Sequence, residues 1–175
     1  MGGKIKRVVI TAEEIARKTA ETGKLISREY EGKPLLLVSI LKGAFIFLAD
    51  LSRQITIPCE IGFMAVESYG VGTTSSGKPK ITLDLKQDIS KYHVLIVEDI
   101  IDTGKTLSKT VEMLEKRKPL SLKVCALLDK PARRETELIP DHVLFEIEDF
   151  FAVGYGLDCA EQFRSLPYIA EYDPD

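Results

Sequence analysis

HVLIVEDIIDTGKT, running from His93 to Thr106, is the stretch whose reading decides the fold. Val94, Leu95, Ile96 and Val97 follow one another without polar alternation, as in a strand buried on both faces of a parallel sheet. Two adjacent carboxylates, Glu98 and Asp99, come next. Ile100 and Ile101 then lead to Asp102, Thr103, Gly104, Lys105 and Thr106, where a helical pattern begins. In an open α/β sheet, ligands bind beyond the carboxyl ends of strands, where these acids fall. Gly104 lets the backbone turn closely around a ligand, Thr103 and Thr106 offer hydroxyls, and the unpaired first-turn amides make a phosphate cradle. Two carboxylates beside such a cradle repel a triphosphate but suit sugar hydroxyls or Mg²⁺. The pattern points to a phosphorylated sugar. A nucleotide-binding P-loop is excluded, because that motif needs glycine where Asp99 stands. The bland alternative is a buried strand, a capping acid and an ordinary helix.

The chain has 175 residues, enough for one domain with a real core. Hydrophobic residues make up 45% and charged ones 29%, as in an ordinary soluble globule. With 24 basic and 27 acidic side chains the net charge is −3, which argues against a general nucleic-acid surface. No stretch approaches a membrane span and the N-terminus lacks an apolar signal core. Cys59, Cys125 and Cys159 lack CxxC spacing and read as reduced thiols in a cytosol.

Outward from the central stretch, Thr11 and Glu14 form a capping box that starts a helix with Ile15, Thr19, Thr22 and Ile26 on one face. Gly23 weakens its interior. Leu35–Ile40 reads as a second buried strand, ending on Lys42-Gly43-Ala44 before a helix to about Gln54. A lysine and a glycine at that place can grip an anion, or can be a solvated lysine on a tight turn. Ile61–Glu67 reads as a strand, Gly70–Lys80 as a loop rich in Gly, Ser and Thr, and Ile81–Leu85 as the returning strand. Leu107, Val111 and Leu114 continue the helix after the central turn. Lys116, Arg117 and Lys118 read as its solvated end. Leu122–Leu128 is the next strand and lands on Lys130. Phe150, Phe151, Val153 and Tyr155 read as core.

VLIVEDIIDTGKT resembles the thirteen-residue phosphoribosyl-pyrophosphate signature of type I phosphoribosyltransferases, in the form of the hypoxanthine-guanine branch. The resemblance implies an α/β fold, a mostly parallel twisted sheet flanked by helices, with a small hood. Residues 1–175 are then a single domain, with a core over about 35–145 and a hood from the N-terminal segment and about 146–175. It implies transfer of phosphoribosyl from phosphoribosyl pyrophosphate to hypoxanthine or guanine, with Mg²⁺ as cofactor, in the cytoplasm, by a homodimer or homotetramer. Leu41-Lys42-Gly43-Ala44 is similar to the family's pyrophosphate loop, where a non-proline cis peptide precedes the lysine; Ala44 replaces a second glycine.

Residue by residue, the resemblance assigns Asp102 as the group that handles the purine N7 proton. Glu98 and Asp99 hold the ribose hydroxyls and metal, and Asp102, Thr103, Gly104, Lys105 and Thr106 anchor the 5′-phosphate. Lys42, Gly43, Arg164, Ser68 and Tyr69 bind pyrophosphate, the last two at the root of a lid over Gly70–Lys80. Lys130, Phe151, Ala152 and Asp158 frame the purine; Asp158 also meets a second Mg²⁺ through water. Arg133 or Arg134 assists at the pyrophosphate. The alternatives are a transferase for xanthine, adenine or uracil, or a phosphoribosyl-pyrophosphate-sensing regulator that binds nucleic acid.

Overall fold

The computed structural model describes residues 3–67 and 80–174. The apolar runs do become neighbouring strands. Strand β2 (Leu35–Leu41) lies between β3 (Cys59–Glu67) and β5 (His93–Ile101), parallel to both. Beyond β5 come β6 (Ser121–Asp129) and β7 (His142–Glu146), again parallel, and β4 (Lys80–Leu83) closes the far edge antiparallel to β3. The order is therefore β4-β3-β2-β5-β6-β7.

Side chains on successive strand residues point to opposite faces, so an unbroken apolar run must feed two cores. Leu35, Leu37, Leu95, Val97, Cys125 and Leu127 enter one, under helices α1 (Ala12–Glu29) and α2 (Phe45–Gln54). Leu36, Val38, Val94, Ile96, Val124 and Ala126 enter the other, under Leu107 and Leu114 of α3 (Lys105–Glu115). The Thr11–Glu14 capping box is present, and Ile15, Thr19, Thr22 and Ile26 are buried as one face of α1. Gly23 is a packing requirement more than a weakness: a Cβ there would lie 2.4 Å from Gln54 Cβ on α2.

A second sheet joins the chain ends. Strand β1 (Lys4–Ile10) pairs antiparallel with β9 (Ile169–Asp173), which pairs with β8 (Ala152–Val153). It brings residues 150–164 to the carboxyl edge of the main sheet, where Gly156 sits against the Gly43 carbonyl so tightly that a Cβ would fall 2.1 Å from it.

Three expectations change. The central strand continues through both acids to Ile101, because β6 still pairs with it there, Glu98 opposite Ala126 and Ile101 opposite Asp129. The returning strand is Lys80–Leu83 and stops before Asp84. Asp84 instead receives both terminal nitrogens of Arg117, at 2.8 and 2.9 Å, so the basic cluster after α3 is tied to the sheet edge and is not merely solvated.

Candidate active site

Pairing between β2 and β5 ends at Ser39 opposite Val97. From there β2 leads toward β3 and β5 toward β6, so the turns after them diverge and leave a crevice, the topological switch point of an open α/β sheet. The described members of the sequence-predicted set lie around it or just beyond.

The turn after β5 is built as its residues suggested. Gly104 has φ +80°, which glycine adopts without steric cost, and no side chain caps α3. The first amide, Lys105 N–H, meets Thr103 Oγ1 at a long 3.4 Å, and the first-turn amides after it have no intrahelical partner and are open to a ligand. Ile40, Glu98 and residues 100–107 line a cavity of about 180 Å³ there, roomy enough for a phosphate group. The Lys105 ammonium turns away to Glu135, so Lys105 serves the turn through its backbone.

Glu98 lines the cavity at the turn, and its carboxyl shares a hydrogen bond with that of Asp99. Asp99 packs on the Gly43 backbone, so that a Cβ at Gly43 would lie 1.7 Å from its Oδ2. Burial and the neighbouring Asp99 charge push the Glu98 carboxyl well above its ordinary range. Burial raises Asp99 too, against the opposing pull of hydrogen bonds and of Arg164. Adjacent carboxylates held at this cost, without a basic side chain bonded to either, have the chemistry of a divalent-cation site. Asp158 does not join them. It accepts the Glu161 amide and pairs with Arg164 at 3.0 Å, and among the described residues no three acidic, His or Cys side chains gather at metal-binding spacing.

The anion loop after β2 has a cis Leu41–Lys42 peptide, and Ala44 is accommodated in the right-handed region at the start of α2. Lys42 and Arg164 meet on one flank of the crevice, both on the Glu161 carboxylate. The Arg164 guanidinium is anchored by the Gly156 carbonyl, while its buried Nε has no partner among the described residues. That orphaned donor suits an anionic ligand. Ser68 and Tyr69 lie outside the described residues, as does the body of the Gly70–Lys80 loop.

On the other flank, the β5–β6 register places Lys130 beside Asp102: Lys130 N–H donates to Ile101 C=O at 3.0 Å. Lys130 is only 6% exposed, its ammonium donating to the Phe150 carbonyl at 2.6 Å. Val153 and Tyr155 are core, but Phe151 is 48% exposed: it tilts against Tyr172, ring centroids 6.0 Å apart, and leaves the rest of its ring open. Ala152 follows it on β8. Neither arginine after Lys130 reaches the pyrophosphate loop. Arg133 bonds Asp102 and Asp149, and Arg134 bonds Asp129 and the Leu138 carbonyl. Sequence reasoning offered Arg133 or Arg134 only to the pyrophosphate and missed the contact of Arg133 with Asp102, and it missed Asp149 and Glu161 altogether, since nothing near them in the chain marks their long-range contacts. A larger cavity, about 430 Å³ between α1, α2 and Tyr155, holds none of the predicted groups.

A phosphate-sized turn, a half-buried acid pair and two cations on one flank of a switch point suit a protein that handles phosphorylated ribose. Residues 6–160 match the phosphoribosyl transferase domain, and the chain belongs to that family. It is 48% identical over 167 residues to a hypoxanthine phosphoribosyltransferase of Haemophilus influenzae, covering 94% of this chain and 93% of that one. Its whole length is 45% identical to a part, 27%, of a bifunctional protein TilS/HprT of Listeria monocytogenes. A solved hypoxanthine phosphoribosyltransferase from Staphylococcus aureus superposes with a TM-score of 0.93 at 44% identity, covering 97% of this chain and 92% of that one. The protein is accordingly an enzyme of the phosphoribosyltransferase class, and no described helix is long and apolar enough to cross a membrane.

Proposed function

We propose that this enzyme salvages purines, transferring phosphoribosyl from phosphoribosyl pyrophosphate to hypoxanthine or guanine and releasing pyrophosphate with IMP or GMP. The observation that carries the reading is the order of groups across the crevice. Cations at Lys42 and Arg164 lie on one flank, the phosphate turn and acid pair in the middle, and Lys130 with Phe151 on the other. The relatives named above as hypoxanthine phosphoribosyltransferases support the choice of base.

In this reading the bond from ribose C1 to the pyrophosphate oxygen breaks with its electron pair on the leaving group. Lys42, Arg164 and the loop amides stabilise that developing charge. Glu98 and Asp99 would hold Mg²⁺, with Asp158 serving a second ion, and the metal would supply charge neutralisation at the pyrophosphate. The turn from Asp102 to Thr106 fixes the 5′-phosphate, so C1 travels toward a stationary base. Purine N9 forms the new bond to C1 while Asp102 accepts the proton from N7. Phe151 stacks on the base, Lys130 donates to its 6-oxygen, and the backbone at Ala152 reads its edge. Exposed Phe45 and Phe63 at the mouth of the crevice support a homodimer or homotetramer, and unpaired thiols suit a cytoplasmic setting.

A spectrophotometric assay with phosphoribosyl pyrophosphate, Mg²⁺ and each of hypoxanthine, guanine, xanthine, adenine and uracil tests this. Turnover of hypoxanthine or guanine at least tenfold above the other bases is expected. Preference for adenine or uracil would overturn the assignment of the base.

A further inference from the structure

We propose that Arg133 is the positioning residue of the reaction: it locks one oxygen of Asp102 so that the other faces the purine N7. The inference rests on the reading of Asp102 as the proton acceptor. Arg133 Nε donates to Asp102 Oδ1 at 2.6 Å, while no hydrogen bond reaches Asp102 Oδ2 among the described residues. A carboxylate left to itself samples rotations about its side-chain bonds. One held at a single oxygen by a charged donor presents the second in a narrow range of directions, as a general base must.

Arg133 is itself held on both sides. It closes the short 3₁₀ turn Pro131–Arg133, its amide bonded to the Lys130 carbonyl at 3.0 Å. Its NH1 reaches Asp149 Oδ2 at 3.3 Å, and the other oxygen of Asp149 lies 3.6 Å from Lys130 Nζ. Two cations and two anions thus alternate, Asp102–Arg133–Asp149–Lys130. The groups assigned to N7 and to the 6-oxygen are therefore set relative to one another before a base enters. The Arg133 and Asp102 side chains are 45% and 43% exposed, so their pairing adds little to folding stability. Its consequence belongs in the chemical step. Arg133 keeps its own proton throughout; the N7 proton passes to Asp102 Oδ2 alone.

The test is the single-turnover rate of IMP formation, measured by rapid quench with enzyme in excess, in a double-mutant cycle. Arg133→Ala is expected to slow the step about tenfold with substrate affinity nearly unchanged, part of the general-base contribution of ~10²–10⁴. Arg133→Lys should recover part of the rate. In an Asp102→Asn background Arg133→Ala should cost nothing further, because the group it orients is gone. A wild-type rate in Arg133→Ala, or an equal penalty in both backgrounds, would overturn the inference while leaving Asp102 its role. An Asp102→Asn enzyme as fast as wild type would overturn both.

Discussion

The Glu161 carboxylate bonds Lys42 Nζ, at 3.1 and 3.2 Å, across 119 residues of sequence. A second cation, Arg164, lies 3.4 Å from the same group, so an anion of the chain's own occupies the place assigned to pyrophosphate. Incoming pyrophosphate must displace it. Glu161→Gln should therefore tighten pyrophosphate binding about fivefold, since removing one charge some 4 Å away in a wet site is worth about 1 kcal/mol. Isothermal titration with pyrophosphate and Mg²⁺ measures this, and unchanged or weaker binding would show that Glu161 does not compete.

Asp102→Asn keeps the shape of the turn but removes the proton acceptor. We expect the rate of the chemical step to fall ~10²-fold or more. The dissociation constant for IMP should stay within about threefold, since the turn's amides still meet the phosphate. Parallel loss of both would make Asp102 a binding group.

Lys130→Ala removes a buried donor bonded to the Phe150 carbonyl. Discrimination between hypoxanthine and adenine should drop by roughly 10–100-fold in kcat/KM, the scale of one lost polar contact at 1–3 kcal/mol. An unaltered ratio would remove Lys130 from base recognition.

Gly43→Ala places a Cβ 1.7 Å from Asp99 Oδ2, so the carboxylate must move. Displacement of about 1 Å at a reacting centre costs on the order of 10²-fold. Activity and Mg²⁺ dependence should suffer at that level while circular dichroism stays that of the wild type. Full activity would mean that Asp99 has freedom the packing denies it.

Glu29 carries the clearest link between pH and stability. Burial acts to raise its carboxyl, but Lys123 at 2.5 Å and His142 at 3.0 Å prevail and hold it below the ordinary 4.5. A carboxyl depressed by folding stabilises the native state above its unfolded value, and that contribution is lost as pH falls through the folded value. Urea denaturation of wild type and Glu29→Gln should differ by about 1 kcal/mol at pH 7. The difference should shrink only below pH 4.5. A gap that persists well below that pH would assign the effect to packing.

Local chemistry made much of this molecule legible from its residues. The runs Leu35–Ile40 and Val94–Val97 declared strands buried on both faces, Thr11 and Glu14 declared a helix start, and Gly104 declared the turn into the next helix. Each of these depends on groups a few residues apart, so adjacency in sequence suffices. Tertiary structure decided the rest. Strand pairing carried β5 through its acids and set Lys130 beside Asp102. The joining of the chain ends brought Glu161 to Lys42. Arg133, 31 residues from Asp102, met it only because β6 runs parallel beside β5 and ends at the same edge. An ion pair imposes no local periodicity on the chain. Its partners are chosen by which backbone ends the sheet brings together, and no window of sequence contains that information.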